Sequence, residues 1–300
     1  MTKLRLKAFF IGNVQSSERA LAILLDLPQI NMIGVLTLRQ SRFNSDFADI
    51  SGMAESASVP VYFAEDTSAA SLALLIRDAD VDVVFAIGWS RLLSRDVLEA
   101  PRLGVVGFHP ADLPRNRGRH PLIWALVLGL ERTASTFFFM DDGVDSGPIL
   151  SQVSVEIAPE DDAGALYRKV LDVIPDQLRK ITEGLTNGTL VARSQNHLQA
   201  TYWRKRGPAD GLIGWRMSAR SIHNLVRGLT LPYVGAEFLF GETIVKLWKS
   251  EIVTSRAPAN SEPGKVLTVD SHGPVIQVGE DAIRLLECDP KIELWEGDYL

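Results

Sequence analysis

The fold is decided by residues 81–109, VDVVFAIGWSRLLSRDVLEAPRLGVVGFH, which contain two separate apolar runs. Residues 81–87 are nearly all apolar, which is typical of a strand buried on both faces of a sheet. Residues 104–108 form the second run. The stretch therefore predicts two buried strands, with Gly88-Trp89-Ser90 after the first and His109 after the second.

More strands are predicted on the N-terminal side, and helical segments separate them. Strands are expected at residues 6–11, 32–38 and 61–63, and helices at 16–25, 49–57 and 68–78, the first capped by Ser16-Ser17-Glu18. This alternation favours an α/β fold with an open, mostly parallel sheet and helices on both faces. Because ligands of such sheets bind beyond the carboxyl ends of the strands, residues 88–90 and His109 are candidate site residues.

The pattern changes after residue 150. Residues 152–157 predict another strand and residues 161–184 a long amphipathic helix, whereas residues 185–201 are polar and irregular and predict a linker. From Tyr202 onward, short apolar runs alternate with turns, which is typical of a small β-barrel. We therefore predict two domains, residues 1–201 and residues 202–300.

Composition narrows the class of protein. A formal net charge of −6 and a pI of about 5.5 disfavour nucleic acid and anionic membranes as partners. The single cysteine, Cys288, excludes an internal disulfide and is expected to be a half-buried strand residue. The N-terminal apolar run is too short for a signal peptide or a membrane span, so we expect a cytoplasmic enzyme. Neither a dinucleotide fingerprint nor zinc-ligand spacing occurs, so no nicotinamide cofactor and no metal are expected.

Two motifs carry the chemistry. Residues 104–121, GVVGFHPADLPRNRGRHP, deliver His109 from a buried strand into a proline- and arginine-rich loop, and residues 140–147, MDDGVDSG, form an acidic loop. A histidine and a carboxylate on neighbouring loops make an acid/base pair, which suits acyl transfer to an amine. By spacing alone, a structural role for His109 remains an alternative. The arginines of the first motif have forked donors suited to an anionic group, although they would also suit a solvated loop.

These motifs resemble the folate-dependent formyltransferase family, which includes methionyl-tRNA, glycinamide ribonucleotide and sugar N-formyltransferases. The family pattern is N-x-H, then S-L-L-P-x-x-R-G-x-x-P, then D-x-G-x-D-x-G. This sequence has His109, then DLPRNRGRHP at 112–121, then DGVDSG at 142–147. The similarity extends to FAIGW at 85–89 and to Tyr202-Trp203 and DGLI at 210–213. The resemblance implies a Rossmann-like domain followed by an OB-like C-terminal β-barrel, with 10-formyltetrahydrofolate as the formyl donor.

The resemblance also implies roles for single residues. His109 would be the catalytic histidine, and Asp145 the carboxylate that steers the proton. The folate would be bordered by Gly88, Trp89, Ser90, Met140, Asp141, Asp142, Gly143 and Val144. The acceptor substrate is expected to contact Arg117, Gly118, Arg119 and His120.

One position departs from the family pattern. Gly107 stands where the family has an asparagine that helps to position the formyl group and stabilise the oxyanion. The loss of one such donor costs about 3 kcal/mol of barrier. We expect another group to substitute at this catalytic position, such as a backbone N–H that the glycine exposes. The alternative is a catalytically weakened homologue that binds folate or a sugar.

Three kinds of acceptor amine compete. A tRNA acceptor requires a basic surface, whereas this chain is acidic, and the segment 39–47, RQSRFNSDF, is short and only mildly basic. Glycinamide ribonucleotide enzymes usually lack the second domain. The remaining acceptor is an amino sugar, normally linked to a nucleotide, and the chain most resembles bacterial sugar N-formyltransferases, including those of the pseudaminic-acid type. Its product would then be an N-formylated sugar for surface glycans. A homodimer is possible, and methionyl-tRNA formyltransferase stays the alternative.

Overall fold

The computed structural model describes residues 5–40, 45–255, 257 and 260–300. Residues 41–44, part of the segment that bears on the acceptor, lie outside the described residues. The chain divides into two compact units. The first comprises Met1–Gly118, Thr133–Val155 and Arg168–Trp203, and the second comprises Arg119–Arg132, Glu156–Tyr167 and Arg204–Leu300. The domain limits expected from the sequence, 1–201 and 202–300, stay a prediction.

Helices and strands alternate through the first half of the chain. In chain order these are β1 (Leu6–Ile11), α1 (Gln15–Asp26), β2 (Ile30–Thr37), α2 (Ser51–Ser56), β3 (Val61–Phe63), α3 (Ala69–Asp78), β4 (Val83–Ala86), α4 (Arg95–Leu98), β5 (Val105–His109), β6 (Arg117–Gly118), α5 (Pro121–Val127), β7 (Arg132–Phe139) and β8 (Ile149–Glu156). They are followed by α6 (Ala163–Asn187), β9 (Tyr202–Trp203), α7 (Ala219–Leu229), β10 (Ala236–Phe240), β11 (Thr243–Val253), β12 (Val266–Asp270), β13 (Gly273–Gln277) and β14 (Ala282–Asp289).

The large sheet has seven strands in the order β3-β2-β1-β4-β5-β7-β8. The strands β3, β2, β1, β4 and β5 pair in parallel, and β7 pairs with β5 in the antiparallel direction. The predicted α/β fold with a mostly parallel sheet is therefore confirmed. His109, at the end of β5, lies at the carboxyl edge of the parallel strands, where ligands bind in sheets of this kind.

Side chains of the central strands are buried on both faces of the sheet. Phe10 of β1 and Phe85 of β4 pack in one core cluster with Ile174 of α6. Phe9, the neighbour of Phe10, packs in a second cluster with Ile76 of α3. Because successive side chains of a strand point to opposite faces, a strand covered on both sides must be apolar throughout. The apolar run at 81–87 is explained in this way.

The predicted N-cap of α1 is wrong. The helix begins at Gln15 with Val14 at the N-cap position, and the Val14 side chain makes no capping hydrogen bond. Ser17 Oγ instead accepts hydrogen bonds from the backbone N–H groups of Asn13 and Val14, at 2.9 and 3.0 Å, and donates to the Ile87 carbonyl at 2.6 Å. Ser17 therefore ties the turn after β1 to the end of β4.

The segment 185–201 is largely irregular, as predicted, but it is not a free linker. Arg193 forms an antiparallel bridge with Ile149 at the start of β8. Gln195 is buried, and its side chain bonds to Arg117. The segment is therefore an ordered part of the first unit, because its backbone and its buried amide both form hydrogen bonds within that unit.

The second unit contains a five-stranded antiparallel sheet in the order β10-β11-β14-β13-β12. Ile222 and Leu225 of α7 share its core with Leu247 of β11. The domain predicted as a β-barrel is observed as an antiparallel sheet, with β10 and β12 at the ends of the hydrogen-bonded order. Cys288 of β14 is half-buried as predicted, and burial raises the pKa of its thiol to about 11. Across the described residues, no helix is long and apolar enough to cross a membrane.

Candidate active site

The ring of His109 is buried at the end of β5, and both of its nitrogens face defined groups. Its Nε2 lies 2.8 Å from the backbone carbonyl oxygen of Asn116. Because a carbonyl oxygen can only accept, Nε2 carries a proton in this contact. In the neutral ring, Nδ1 therefore has the free lone pair and is the atom that can take up a proton.

Asp145 faces this free nitrogen. Its Oδ2 lies 3.6 Å from His109 Nδ1, which is too long for a hydrogen bond but suits an ion pair once the ring is protonated. The same oxygen accepts the backbone N–H of Gly118 at 2.8 Å. Asp145 also has a φ of +48°, in the left-handed region that few non-glycine residues adopt. The structure thus brings together the two residues that the sequence predicted as an acid/base pair.

Arg117 and Gly118, which are expected to contact the acceptor, form the short strand β6. Gly118 has a φ of +107°, and a Cβ there would lie 2.3 Å from the Trp203 carbonyl oxygen, so only glycine fits. Its N–H is used by Asp145. Arg117 is only 1% exposed, and its guanidinium bonds to Gln195 and Tyr202. Both residues thus hold neighbouring parts of the first unit in place, and their contacts with an acceptor stay a prediction.

The segments expected to border a folate lie in the same unit. Asp141 Oδ1 accepts the Gly143 N–H at 3.0 Å and the Ser146 hydroxyl at 2.6 Å, which shapes the acidic loop, whereas residues 141–144 are exposed. Gly88, after β4, has a φ of +67° and would place a Cβ 2.3 Å from Val14 Cγ2. Residues 141–144 are therefore open to solvent, whereas close packing and a left-handed φ require glycine at position 88.

Three neighbouring strands carry buried polar atoms without a hydrogen-bond partner in the part of the chain that the structure describes. These atoms are Trp89 Nε1 after β4, both amide atoms of Asn13 after β1, and Thr37 Oγ1 at the end of β2. A buried polar group costs free energy unless it is hydrogen-bonded, so such atoms are candidates for water or ligand contacts. Trp89 is the one that the sequence had predicted as a site residue.

Comparison with known families decides the class of the protein. The family model for formyl transferases matches residues 39–182, and the model for the formyl transferase C-terminal domain matches residues 206–293. The chain belongs to the formyltransferase family. The predicted membership is confirmed, and the two matches together cover well over half of the chain.

Solved structures show the same fold. WlaRD, a sugar 3N-formyltransferase solved in the presence of dTDP and 5-N-formyl-THF, is 16% identical with a TM-score of 0.68, and the match covers 96% of this chain and 99% of that chain. The N-formyltransferase from Helicobacter canadensis, in complex with folinic acid and dTDP-3-aminofucose, is 16% identical with a TM-score of 0.70 and coverages of 94% and 99%. Methionyl-tRNA formyltransferase from Clostridium thermocellum is 16% identical, with a TM-score of 0.58 and coverages of 82% and 94%.

In this formyltransferase, the Met140 side chain occupies the space where the family's asparagine side chain would begin at position 107. A Cβ on Gly107 would lie 2.7 Å from Met140 Cγ and 3.0 Å from Phe138 Cζ. An asparagine therefore cannot be accommodated at 107 unless the Met140 side chain moves. The expected substitute donor, a backbone N–H exposed by the glycine, stays a prediction.

Arg119 and His120 belong to the second unit. His120 has a φ of +55° and precedes α5, and its Nδ1 accepts the Arg206 backbone N–H at 3.3 Å. Burial lowers the pKa of His120 to about 4, and the positive charges of Arg119 and Arg206 add to the effect. The ring is therefore neutral at physiological pH. Their role as acceptor contacts stays a prediction.

Sequence reasoning missed two residues that complete the site. Asn116 supplies the carbonyl for His109, and Gln195 contacts the acidic loop. Asn116 lies inside the quoted motif, where its left-handed φ of +63° fits the known tolerance of asparagine for that region. Gln195 lies in the irregular segment and carries no local signal.

Proposed function

We propose that this formyltransferase transfers the formyl group of 10-formyltetrahydrofolate to the amine of an amino sugar that is linked to a nucleotide. The observation that carries the proposal is the pairing of His109 Nδ1 with Asp145 at 3.6 Å, at the carboxyl edge of the sheet. Two proteins of similar fold were solved with formyl-folate compounds, one of them with a dTDP-linked amino sugar. These neighbours support the choice of donor and acceptor.

The geometry suits proton transfer during attack by an amine. The acceptor nitrogen loses a proton as it bonds to the formyl carbon, and the departing folate nitrogen gains one. His109 Nδ1 can hold that proton in between, because Nε2 is already committed to Asn116. The Asp145 carboxylate stabilises the ring while it is charged. We therefore propose His109 and Asp145 as the catalytic residues, and Gly107 as the position where the missing family amide must be replaced.

The folate is proposed to bind along the two loops that flank β4 and β7. The buried and unpartnered Nε1 of Trp89 fits a ring rich in acceptors, because its N–H would gain the hydrogen bond that it lacks in the described residues. The acidic loop is exposed at residues 141–144, and its backbone groups are proposed to bind the same ring. The residues proposed to line this site are Gly88, Trp89, Ser90, Met140, Asp141, Asp142, Gly143 and Val144.

The acceptor is proposed to be a sugar because the charge of the chain opposes the alternative. A tRNA owes most of its affinity to neutralised phosphates, whereas this chain has a formal net charge of −6. The product would be an N-formylated sugar for surface glycans. We also propose a cytoplasmic location, since nucleotide sugars and reduced folates are cytoplasmic metabolites. We further propose that the protein is a homodimer, which sedimentation velocity would detect.

An assay with 10-formyltetrahydrofolate and a panel of free, UDP-linked and dTDP-linked amino sugars tests the proposal. We expect one nucleotide-linked sugar to gain a formyl group, detected by mass spectrometry. The His109→Ala variant should lose turnover but keep folate binding in calorimetry. Folate binding without turnover on any amine would favour the weakened, binding-only homologue. Absence of both binding and turnover would refute the proposal.

A further inference from the structure

Gln195 uses its whole side-chain amide to connect two parts of the first unit. It is 6% exposed. Its Nε2 donates to the backbone carbonyl oxygens of Asp145 and Gly147, at 2.9 and 2.7 Å. Its Oε1 accepts from Nε and Nη2 of Arg117, at 3.2 and 2.6 Å. Both amide hydrogens and the carbonyl oxygen are therefore engaged.

These contacts converge on the backbone that carries the Asp145 carboxylate. A left-handed aspartate costs free energy and persists only where its surroundings hold it. Gln195 holds the carbonyl of Asp145 and that of Gly147, on either side of Ser146. The N–H of Gly118 holds the carboxylate itself. Two consecutive residues therefore support Asp145. The Arg117 side chain does so through Gln195, and the Gly118 backbone N–H does so directly.

Arg117 determines which way the Gln195 amide points. Its guanidinium can only donate, so it selects the amide oxygen and leaves the NH₂ group for the loop carbonyls. Its Nη1 donates to the Tyr202 hydroxyl at 3.0 Å, and its Nη2 lies 3.3 Å from His197 Nδ1. Among the described residues, no carboxylate forms an ion pair with Arg117. An apolar side chain at position 117 would donate no hydrogen bond and would leave the Gln195 amide free to flip.

We propose that Gln195, oriented by Arg117, is the positioning residue that sets the separation between Asp145 and His109. The proposal rests on the proposed function, in which this pair holds the transferred proton. The side-chain amide of Gln195 is hydrogen-bonded to Arg117 and to the carbonyls of Asp145 and Gly147, so its effect on His109 passes through the backbone of residues 145–147. A misplacement of about 1 Å at a reacting group can cost on the order of a hundredfold in rate.

The Gln195→Glu variant tests the proposal directly. It keeps the oxygen that Arg117 binds but replaces the NH₂ donor with an oxygen that repels the two loop carbonyls. We expect kcat to fall about 10- to 100-fold while the KM for the folate stays within about twofold. Gln199→Glu is the matched control, because Gln199 is exposed, lies four residues later and adds the same charge. The control should keep the kcat of the wild type.

A second measurement does not depend on turnover. The ¹⁵N NMR shifts of the His109 ring report its protonation and its distance from a charged partner, and we expect them to change in Gln195→Glu and not in Gln199→Glu. Where Gln195→Glu fails to fold, Gln195→Met removes the same hydrogen bonds without adding a charge. Folded Gln195 variants with unchanged His109 ring shifts would overturn the proposal. If the wild type is active, Gln195 variants that keep its kcat would also overturn it. An inactive wild type whose ring shifts respond to Gln195 would refute the proposed function alone.

Discussion

The two ring nitrogens of His109 have different partners, and this difference assigns their roles. Nε2 donates to Asn116 at 2.8 Å, whereas Nδ1 faces Asp145 Oδ2 at 3.6 Å. A carboxylate in that place stabilises the imidazolium that forms when the ring takes up a proton. The importance of residue 145 should therefore lie in its charge.

Replacing Asp145 with Asn tests this at constant size. The amide can still face the ring and accept from Gly118, but it has no charge. We expect kcat to fall by about 10²- to 10⁴-fold, the range of general acid–base catalysis, with a smaller change in KM. Asp112→Asn is the control, because Asp112 lies on the β5–β6 loop and contacts Arg115 instead. Equal kcat values for the two variants would show that the charge of Asp145 is not used.

Restoring an asparagine at position 107 measures how much this side chain would contribute to kcat. In Gly107→Asn the new Cβ meets Met140 Cγ at 2.7 Å, so we expect the single variant to gain nothing. Combining it with Met140→Ala opens the space for the amide. The double variant should exceed Gly107→Ala/Met140→Ala in kcat by at least about 10-fold, since one oxyanion donor is worth on the order of 10²–10³. Equal rates would mean that another group already supplies that hydrogen bond.

The strands that could be predicted from the sequence are those that a local pattern of side chains specifies. Residues 81–87 and 104–108 could be identified as buried strands because every side chain in them needs an apolar partner on one face or the other. The roles of His109 and Asp145 came from the resemblance of the motifs at the strand ends to the formyltransferase family, because the three aspartates of the acidic loop could not be told apart by spacing alone. Gln195 could not be predicted, because its partner Arg117 lies 78 residues away and the segment 185–201 has neither periodicity nor a motif. Likewise Ser17 resembled a cap, but its hydroxyl is committed to the end of β4.

The residue before α5 makes the stability of the protein depend on pH. Burial lowers the pKa of His120 to about 4, with Arg119 contributing next, from an ordinary value of 6.5. The unfolded chain thus binds a proton that the folded chain rejects between these values. The contribution of neutral His120 is complete above pH 6.5 and is lost as the pH falls to about 4. Partial solvent access limits the loss to about 1–2 kcal/mol.

His120→Asn should reduce this pH dependence. Asparagine tolerates a left-handed φ and retains an oxygen acceptor for the Arg206 N–H, but it does not titrate. The free energy of unfolding by urea is measured at pH 7.5 and at pH 4.5. The decrease between the two pH values should be smaller in this variant than in the wild type by about 1–2 kcal/mol. His272→Asn is the control, because His272 is exposed. An unchanged pH dependence in His120→Asn would contradict the assignment.

At the scale of the whole molecule, charge bears on the choice of acceptor. Arg204, Lys205 and Arg206 are three consecutive cationic residues. They do not form an open basic patch that would offset the net charge of −6. Arg204 is paired with the carboxylate of Asp210, and Arg206 binds the Asp210 carbonyl and stacks over Trp124 at 4.6 Å. Most of the local positive charge is therefore committed within the second unit.

Salt dependence separates the two acceptors. A tRNA substrate that requires 6–10 phosphate contacts would lose about 10³- to 10⁵-fold in affinity between 50 and 200 mM salt. We expect initiator tRNA to bind this chain only in the non-specific range, weaker than about 1 μM at physiological salt. Formyl transfer to a nucleotide-linked sugar carries only the two charges of a diphosphate linkage, so its KM should rise far less over the same range. Tight tRNA binding with a steep salt slope, together with formylation of methionyl-tRNA, would reverse the assignment of the acceptor and leave the roles of His109 and Asp145 in place.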